Sequence, residues 1–131
     1  MDKSKLVKCE IITGYNNCVK CSKSPAEKSS HRFTKFAICD WLWNNGLNFG
    51  TEVVSINGAR ADIVIYEWGL IIEVLNTESY DMFVKKSYPF PALPIYCKEN
   101  PLLIRDILDD LKCTNGEGAD YYIKKQGERN V

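Results

Sequence analysis

The sequence predicts an α/β domain with a mixed central sheet flanked by helices. Its 131 residues suit one domain that buries a real core. The composition, 45% apolar and 26% charged, is that of a globular protein rather than a disordered or fibrous one. The periodicity along the chain gives the order helix, three strands, helix, strand, helix. A helical crossover between the third and fourth strands indicates that the sheet is mixed.

The first helix has the clearest start signal. Residues 24–27 read Ser-Pro-Ala-Glu, a capping box with proline in the first helical position. Asn44-Asn45-Gly46 supplies a stop, so we predict a helix over residues 25–45. Four apolar residues recur inside it at helical spacing and predict its buried stripe: Phe33, Phe36, Ala37 and Trp41.

The strands follow as three short β-rich segments, and a fourth comes later. We predict the first three over residues 52–56, 61–66 and 70–75, with Asn57-Gly58 as a hairpin turn between the first two. A short helix over residues 77–86, capped by Thr77, precedes a fourth strand over residues 93–97. A last helix runs from Asn100-Pro101 to about Lys112, with an apolar face made of Leu103, Ile104, Ile107, Leu108 and Leu111.

Composition divides the chain into three stretches. Residues 1–24 form a Lys-rich segment with three cysteines, residues 25–112 form the core, and residues 113–131 form a polar, loosely held tail. Lys+Arg and Asp+Glu balance at 17 each, which argues against a protein that coats nucleic acid by bulk charge. Residues 1–35 nevertheless carry eight basic groups against three acidic ones. They form either a solvated surface or a phosphate-facing patch beside the first helix.

The chain carries no membrane or export signal that its sequence reveals. No apolar run approaches the roughly 18–20 residues of a membrane helix. The first ten residues lack the apolar segment of a secretory signal. We therefore expect an intracellular, cytoplasmic protein without a membrane partner.

Two acids lie inside apolar strand segments. Asp62 follows Ala61 in the second strand, and Glu73 lies among Ile and Val residues in the third. Burying a carboxylate is costly unless it is paired or binds a cation. On adjacent strands the two acids would form an oxygen-rich site that suits Mg²⁺ or Mn²⁺. The alternative is ordinary ion pairing, of Asp62 with Arg60 and of Glu73 with a lysine of the first helix.

The first helix adds a second group of polar residues. Glu27, His31 and Lys35 are spaced i, i+4, i+8 on one face, from which they could reach over the sheet edge to the two acids. Each residue also has a plain structural explanation. The capping box accounts for Glu27, packing or surface exposure for His31, and a solvated helix charge for Lys35.

These residues occur in an order that resembles the PD-(D/E)XK nuclease superfamily, and most closely its competence-protein (CoiA-like) branch. In that branch a helix bearing His and Lys precedes a Glu-containing strand, an Arg-x-Asp strand and a strand that ends in Glu-x-polar. The matching pieces here lie within residues 30–79: His31 and Lys35, Glu52, Arg60-Ala61-Asp62 and Glu73-Val74-Leu75. The resemblance implies a restriction-endonuclease-like αβββαβ core.

The resemblance also implies metal-dependent hydrolysis of DNA phosphodiester bonds. Asp62, Glu73 and the Val74 carbonyl would hold Mg²⁺ or Mn²⁺, and Glu52 would hold a water or a second metal. Leu75 stands where the family has the Lys or Gln that positions the attacking water. Lys35 is the best candidate for that lost role, ahead of Lys85 and Lys86. The other residues assigned to catalysis and DNA binding are His31 as a catalytic residue and Lys28, Arg32 and Arg60 as phosphate contacts.

The resemblance leaves the quaternary state and the activity open. A small domain of this type often needs a homodimer to engage both strands of duplex DNA. The loss of Lys or Gln at Leu75 supports an alternative function, a catalytically inactive module that binds DNA or protein.

The cysteines allow a third hypothesis, a small zinc-containing interaction protein. Cys18-x-x-Cys21 is half of a zinc knuckle, and Cys9 and His31 together could complete a Cys₃His site. A disulfide and free thiols are the alternatives.

Overall fold

The computed structural model describes residues 3–21, 29–76, 78 and 80–129 of the chain. The predicted capping box at residues 24–27, the predicted phosphate contact Lys28 and the predicted cap Thr77 lie outside them. The helices of the described part are α1 Lys3–Cys9, α2 Ser29–Asn44, α3 Tyr80–Val84, α4 Pro101–Cys113 and α5 Ala119–Arg129. Its strands are β1 Ile11–Asn16, β2 Phe49–Ser55, β3 Arg60–Ile65, β4 Leu70–Leu75 and β5 Ala92–Tyr96.

The strands form one mixed sheet in the order β1-β2-β3-β4-β5. The first three pairs are antiparallel, and β5 runs parallel to β4 after the crossover through α3. The predicted α/β class, with a mixed sheet flanked by helices, is therefore confirmed. The predicted order of helix, three strands, helix, strand, helix is also present, from α2 to α4.

The main core lies between one face of the sheet and helices α2, α4 and α5. Ile63 and Ile72 of the sheet pack there with Ile38 and Leu42 of α2, and all four are completely buried. Val7 of α1 covers a second cluster that contains Val64 and Ile71. Alternate residues along a strand point to opposite faces, so β3 and β4 contribute to both clusters and are covered on both sides.

Helix α2 is rotated from the predicted orientation. The predicted stripe is wrong at three of its four residues: Phe33 and Phe36 are 74% and 52% exposed, and Ala37 is exposed as well. The buried face consists of Lys35, Ile38, Cys39 and Leu42. That face has ideal helical spacing, but a hydropathy pattern does not reveal it because its first member is a lysine.

The structure adds three elements that the sequence did not predict. Helix α1 and strand β1 lie within the Cys- and Lys-rich segment, and β1 extends the sheet beyond β2. The expectation of a loosely held tail is wrong for residues 119–129, which form α5. Helix α5 is fixed to β5 by the buried side chain of Gln126, which donates hydrogen bonds to the Pro94 carbonyl at 2.9 Å and to Glu99 Oε1 at 2.6 Å.

The start of α4 is as predicted. The Asn100 side chain accepts a hydrogen bond from Leu102 N at 2.8 Å, and Pro101 occupies the first turn. Four of the five predicted apolar residues are buried, namely Ile104, Ile107, Leu108 and Leu111, whereas Leu103 is 37% exposed. No helix in the described part of the chain has the length and apolar character needed to cross a membrane.

Candidate functional site

Strands β3 and β4 stop pairing at the two acids. Their regular register ends at Ile63 and Ile72, so Asp62 and Glu73 occupy the next opposed positions. There the side chains replace the ladder hydrogen bonds. Glu73 Oε1 accepts from Asp62 N at 2.8 Å, and Asp62 Oδ2 accepts from Val74 N at 2.9 Å. Each carboxyl group thus reaches toward the opposite strand, and the two groups interact electrostatically in the gap between β3 and β4.

The backbone adds a third oxygen to this gap. The N–H and C=O of one strand residue point to the same side of the strand. Val74 N–H donates toward β3, so the Val74 carbonyl faces β3 as well. The carbonyl of the next residue points to the other side of the strand. The Leu75 carbonyl accepts a hydrogen bond from Cys97 N, just beyond β5, at 2.8 Å. Asp62, Glu73 and the Val74 carbonyl therefore offer two carboxylates and one carbonyl, a donor set that suits Mg²⁺ completed by water.

Glu52 lies in the same row across the sheet. The pairs Thr51–Ile63 and Val53–Ala61 place it opposite Asp62 on the neighbouring strand. Its φ is +47°, a left-handed conformation that costs a non-glycine residue about 1–2 kcal/mol. The β1–β2 register shifts at this point, which indicates a bulge in β2. Backbone strain of this kind is typical of functional positions.

Helix α2 places two basic side chains over the row of acids. His31 Nε2 lies 3.4 Å from Asp62 Oδ2, and Lys35 Nζ lies 3.8 Å from Glu52 Oε1. Lys35 is completely buried, and its Nζ has no hydrogen-bond partner among the described residues. An ammonium removed from water normally needs such partners. Lys35 therefore has N–H donors that no described acceptor uses, at 3.8 Å from Glu52.

Glu73 is held in an environment that favours its neutral form. Its side chain is 5% exposed, and burial together with the nearby Asp62 charge raises the pKa of Glu73 to about 8. The Asp62 N–H, Lys86 and Tyr88 act in the opposite direction but are weaker. A divalent cation in the gap would favour the ionised carboxylate and displace the proton.

The segment between α3 and β5 supplies two further groups beside Glu73. Lys86 acts on Glu73 electrostatically and forms an ion pair with Glu78, Nζ to Oε1 at 2.9 Å. The Tyr88 hydroxyl is buried near Glu73 without a hydrogen-bond partner among the described residues, and burial and that carboxylate raise the pKa of Tyr88. No spacing in the sequence pointed to Tyr88, because its position depends on the loop that connects α3 to β5.

The ion pairs offered as alternatives for the acids are not formed in the described part of the chain. Arg60 is exposed at the start of β3, and the basic partner of Asp62 is His31. Lys35 pairs with Glu52 rather than with Glu73.

The other predicted phosphate contact that is described, Arg32, is exposed on α2 and donates to Ser29 Oγ at 3.3 Å. Lys28 and Glu27 lie outside the described residues.

The cysteines are free thiols in the structure. Within residues 3–21, 29–76, 78 and 80–129, no three His, Cys, Asp or Glu side chains form a group that could hold a metal ion. The zinc set of Cys9, Cys18, Cys21 and His31 is therefore not assembled, and Glu52 does not join Asp62 and Glu73 in one metal-binding group. Burial raises the pKa of the Cys39 thiol to about 12, with smaller effects from Lys35, Cys21 and Cys18.

Comparisons of the chain with protein-family models, curated proteins and solved structures give no match. The geometry of the site and the sequence pattern are thus the basis for assigning a function.

The raised pKa of Glu73 predicts how stability depends on pH. Between pH 4.5 and about 8 the folded chain keeps a proton on Glu73 that the unfolded chain releases, so the free energy of unfolding falls as pH rises. The loss is on the order of a few kcal/mol, at about 1.4 kcal/mol for each unit of pKa difference. Glu73→Gln, which mimics the protonated form, should remove most of this slope in chelator, as measured by urea unfolding at several pH values.

Glu67→Gln is the matched control, because Glu67 also accepts backbone hydrogen bonds, from Asn48 N, but lies in the turn before β4. It should keep the slope of the unsubstituted protein. Equal slopes in Glu73→Gln and the unsubstituted protein would contradict the account of Glu73.

Proposed function

We propose that this protein hydrolyses DNA phosphodiester bonds with Mg²⁺ or Mn²⁺ as its cofactor. The observation that carries the proposal is the gap between β3 and β4, where two largely buried carboxylates meet beneath a helix that carries His31 and Lys35. Neutral packing would not need this concentration of polar groups at one point. The resemblance to PD-(D/E)XK nucleases supports the same conclusion on independent grounds, the order of the residues along the chain.

Asp62, Glu73 and the Val74 carbonyl would hold the metal. A divalent ion in such a site lowers the pKa of a bound water and stabilises negative charge at a phosphorus centre. The few protein ligands suit Mg²⁺, which usually keeps several of its waters and takes only one or two carboxylates. The mutual hydrogen bonds of the two acids with the opposite backbone keep both carboxylates oriented before the metal binds.

Lys35 would take the role that the family assigns to the position of Leu75. Its buried ammonium has N–H donors that no described acceptor uses, so it can stabilise the charge that develops on a phosphate oxygen. Glu52 restrains the ammonium from 3.8 Å and can orient a water. His31 positions Asp62 through the contact to Oδ2, and its imidazole is the nearest candidate to protonate a leaving oxygen.

A catalytically inactive module that binds DNA or protein is the second candidate. The observation in its favour is the setting of Leu75, which is 2% exposed and packs with Phe83 and Tyr96 in an apolar cluster. No charged side chain occupies that position to orient an attacking water. The two candidates therefore differ in whether Lys35 replaces the missing group.

Plasmid cleavage in Mn²⁺ separates these candidates. The unsubstituted protein should nick supercoiled DNA, and Asp62→Asn and Glu73→Gln should lower the rate by at least about a hundredfold, because each removes a charged metal ligand. Asp40→Asn, an exposed acid of α2, is the matched control and should cleave normally. No cleavage by any of these proteins, or equal cleavage by all of them, would refute the proposed mechanism.

Lys35→Met tests the buried ammonium separately from folding. Removing a donor that stabilises transition-state charge should lower cleavage by about 10²–10³-fold. The free energy of unfolding should fall, because the variant removes the cation 3.8 Å from the largely buried Glu52 carboxylate, and far-UV circular dichroism should show that the variant remains folded. Normal cleavage by Lys35→Met would show that the ammonium has only a structural role.

A further inference from the structure

A groove of about 390 Å³ lies beside Glu52 and is not used by the proposed metal site. It is lined by residues of β1, β2, β3 and the segment after β1. The lining residues that matter here are Tyr15, Lys20, Glu52 and Arg60. We propose that this groove binds a single strand of nucleic acid and leads it to the acid site. The inference rests on the proposed function in one respect, the claim that the bound strand leads to the acid site.

The groove is continuous with the row of acids. Glu52 belongs to both, since it lines the groove and stands opposite Asp62 on the neighbouring strand. Arg60 lies two residues before Asp62 on β3, and residues two apart on a strand share a face. Their separation along the strand is about 7 Å. A chain that contacts Arg60 can therefore continue directly to Asp62.

The groove offers both kinds of contact that a single strand uses. The Tyr15 side chain is 48% exposed, and Lys20 Nζ lies 5.5 Å from the centre of its ring. Arg60 is exposed on the other side of Glu52, whose charge is offset by Lys35. Unpaired bases stack on exposed aromatic rings, and nearby cations bind the phosphates. The groove thus combines one aromatic ring for base stacking with two cations for phosphate binding.

The backbone fixes these groups in place. Lys20 N donates to Thr51 Oγ1 at 2.9 Å, and the same hydroxyl donates to the Cys18 carbonyl. Thr51 is completely buried and immediately precedes Glu52. Tyr15 is paired with Thr51 across β1 and β2. The backbones of Tyr15 and Lys20 are thus both held against one residue of β2, which immediately precedes Glu52.

A single strand fits this surface better than a duplex or an acidic peptide. Stacking on Tyr15 requires a base whose face is open, and in a duplex the faces are covered by neighbouring bases. A peptide of Asp and Glu would use Lys20 and Arg60 but has no aromatic ring to stack on Tyr15.

Fluorescence anisotropy in chelator tests the inference without cleavage. The first probe is a labelled oligothymidylate of about 12 nucleotides, a length within the 4–16 nucleotides typical of one binding module. The other two probes are its duplex with oligoadenylate and a polyglutamate peptide. The single strand should bind more tightly than the duplex. Tyr15→Ala should weaken binding about tenfold. Lys20→Gln and Arg60→Gln should each reduce the slope of log affinity against log salt by about 0.7.

The chain offers a matched control on α5, where Lys125 Nζ lies 5.8 Å from the ring of Tyr121, which is 60% exposed. Tyr121→Ala and Lys125→Gln should leave binding unchanged. Equal or tighter binding of the duplex, binding of the peptide in place of the oligonucleotide, or equal effects at Tyr15 and Tyr121 would each overturn the inference. Strand binding with no Mn²⁺ cleavage would refute the proposed function alone, whereas cleavage unaffected by Tyr15, Lys20 and Arg60 variants would refute this inference alone.

Discussion

The divergence of β3 and β4 is the constraint on which the rest of the site depends. Two carboxylates take over hydrogen bonds that the ladder would otherwise make, so the strands separate without leaving the Asp62 and Val74 N–H groups unpaired. The separation creates a gap that carboxylate and carbonyl oxygens face. It also leaves the gap accessible to α2, whose His31 reaches Asp62.

The electrostatics of the site oppose the stability of the fold. Burial and the nearby Asp62 charge raise the pKa of Glu73, and Lys35 is fully buried, with an Nζ that has no hydrogen-bond partner among the described residues. Each arrangement costs stability in the absence of other charges, and Glu52 adds backbone strain. A divalent cation between the carboxylates and a phosphate near Lys35 would relieve the first two costs together. Such opposition between stability and function is common in active sites.

The sequence was sufficient where local signals determine structure. Asn100-Pro101 set the start of α4, and the alternation of Gly, Asn and apolar segments gave β2, β3 and β4 in order, which placed Asp62 and Glu73 on adjacent strands. It failed where a single residue breaks the usual hydropathy rule. Because lysine is normally exposed, the buried Lys35 concealed the true inner face of α2.

Other elements depend on contacts that are distant in sequence. Strand β1 pairs with residues about 35–45 positions away, and nothing within Ile11–Asn16 specifies that partner. Helix α5 is largely polar and is held in part by the amide of Gln126, a contact that hydropathy does not reveal. Tyr88 lies near Glu73 because of the path that the loop before β5 takes. These contacts required the three-dimensional structure.

The most direct test of the central claim is an anomalous difference map from crystals of this protein soaked in Mn²⁺. The account predicts a peak between the Asp62 and Glu73 carboxylates and the Val74 carbonyl, at about 2.0–2.3 Å from the ligand oxygens, with no peak in Asp62→Asn crystals. A gap without manganese at saturating concentration, or manganese bound only elsewhere on the chain, would contradict it.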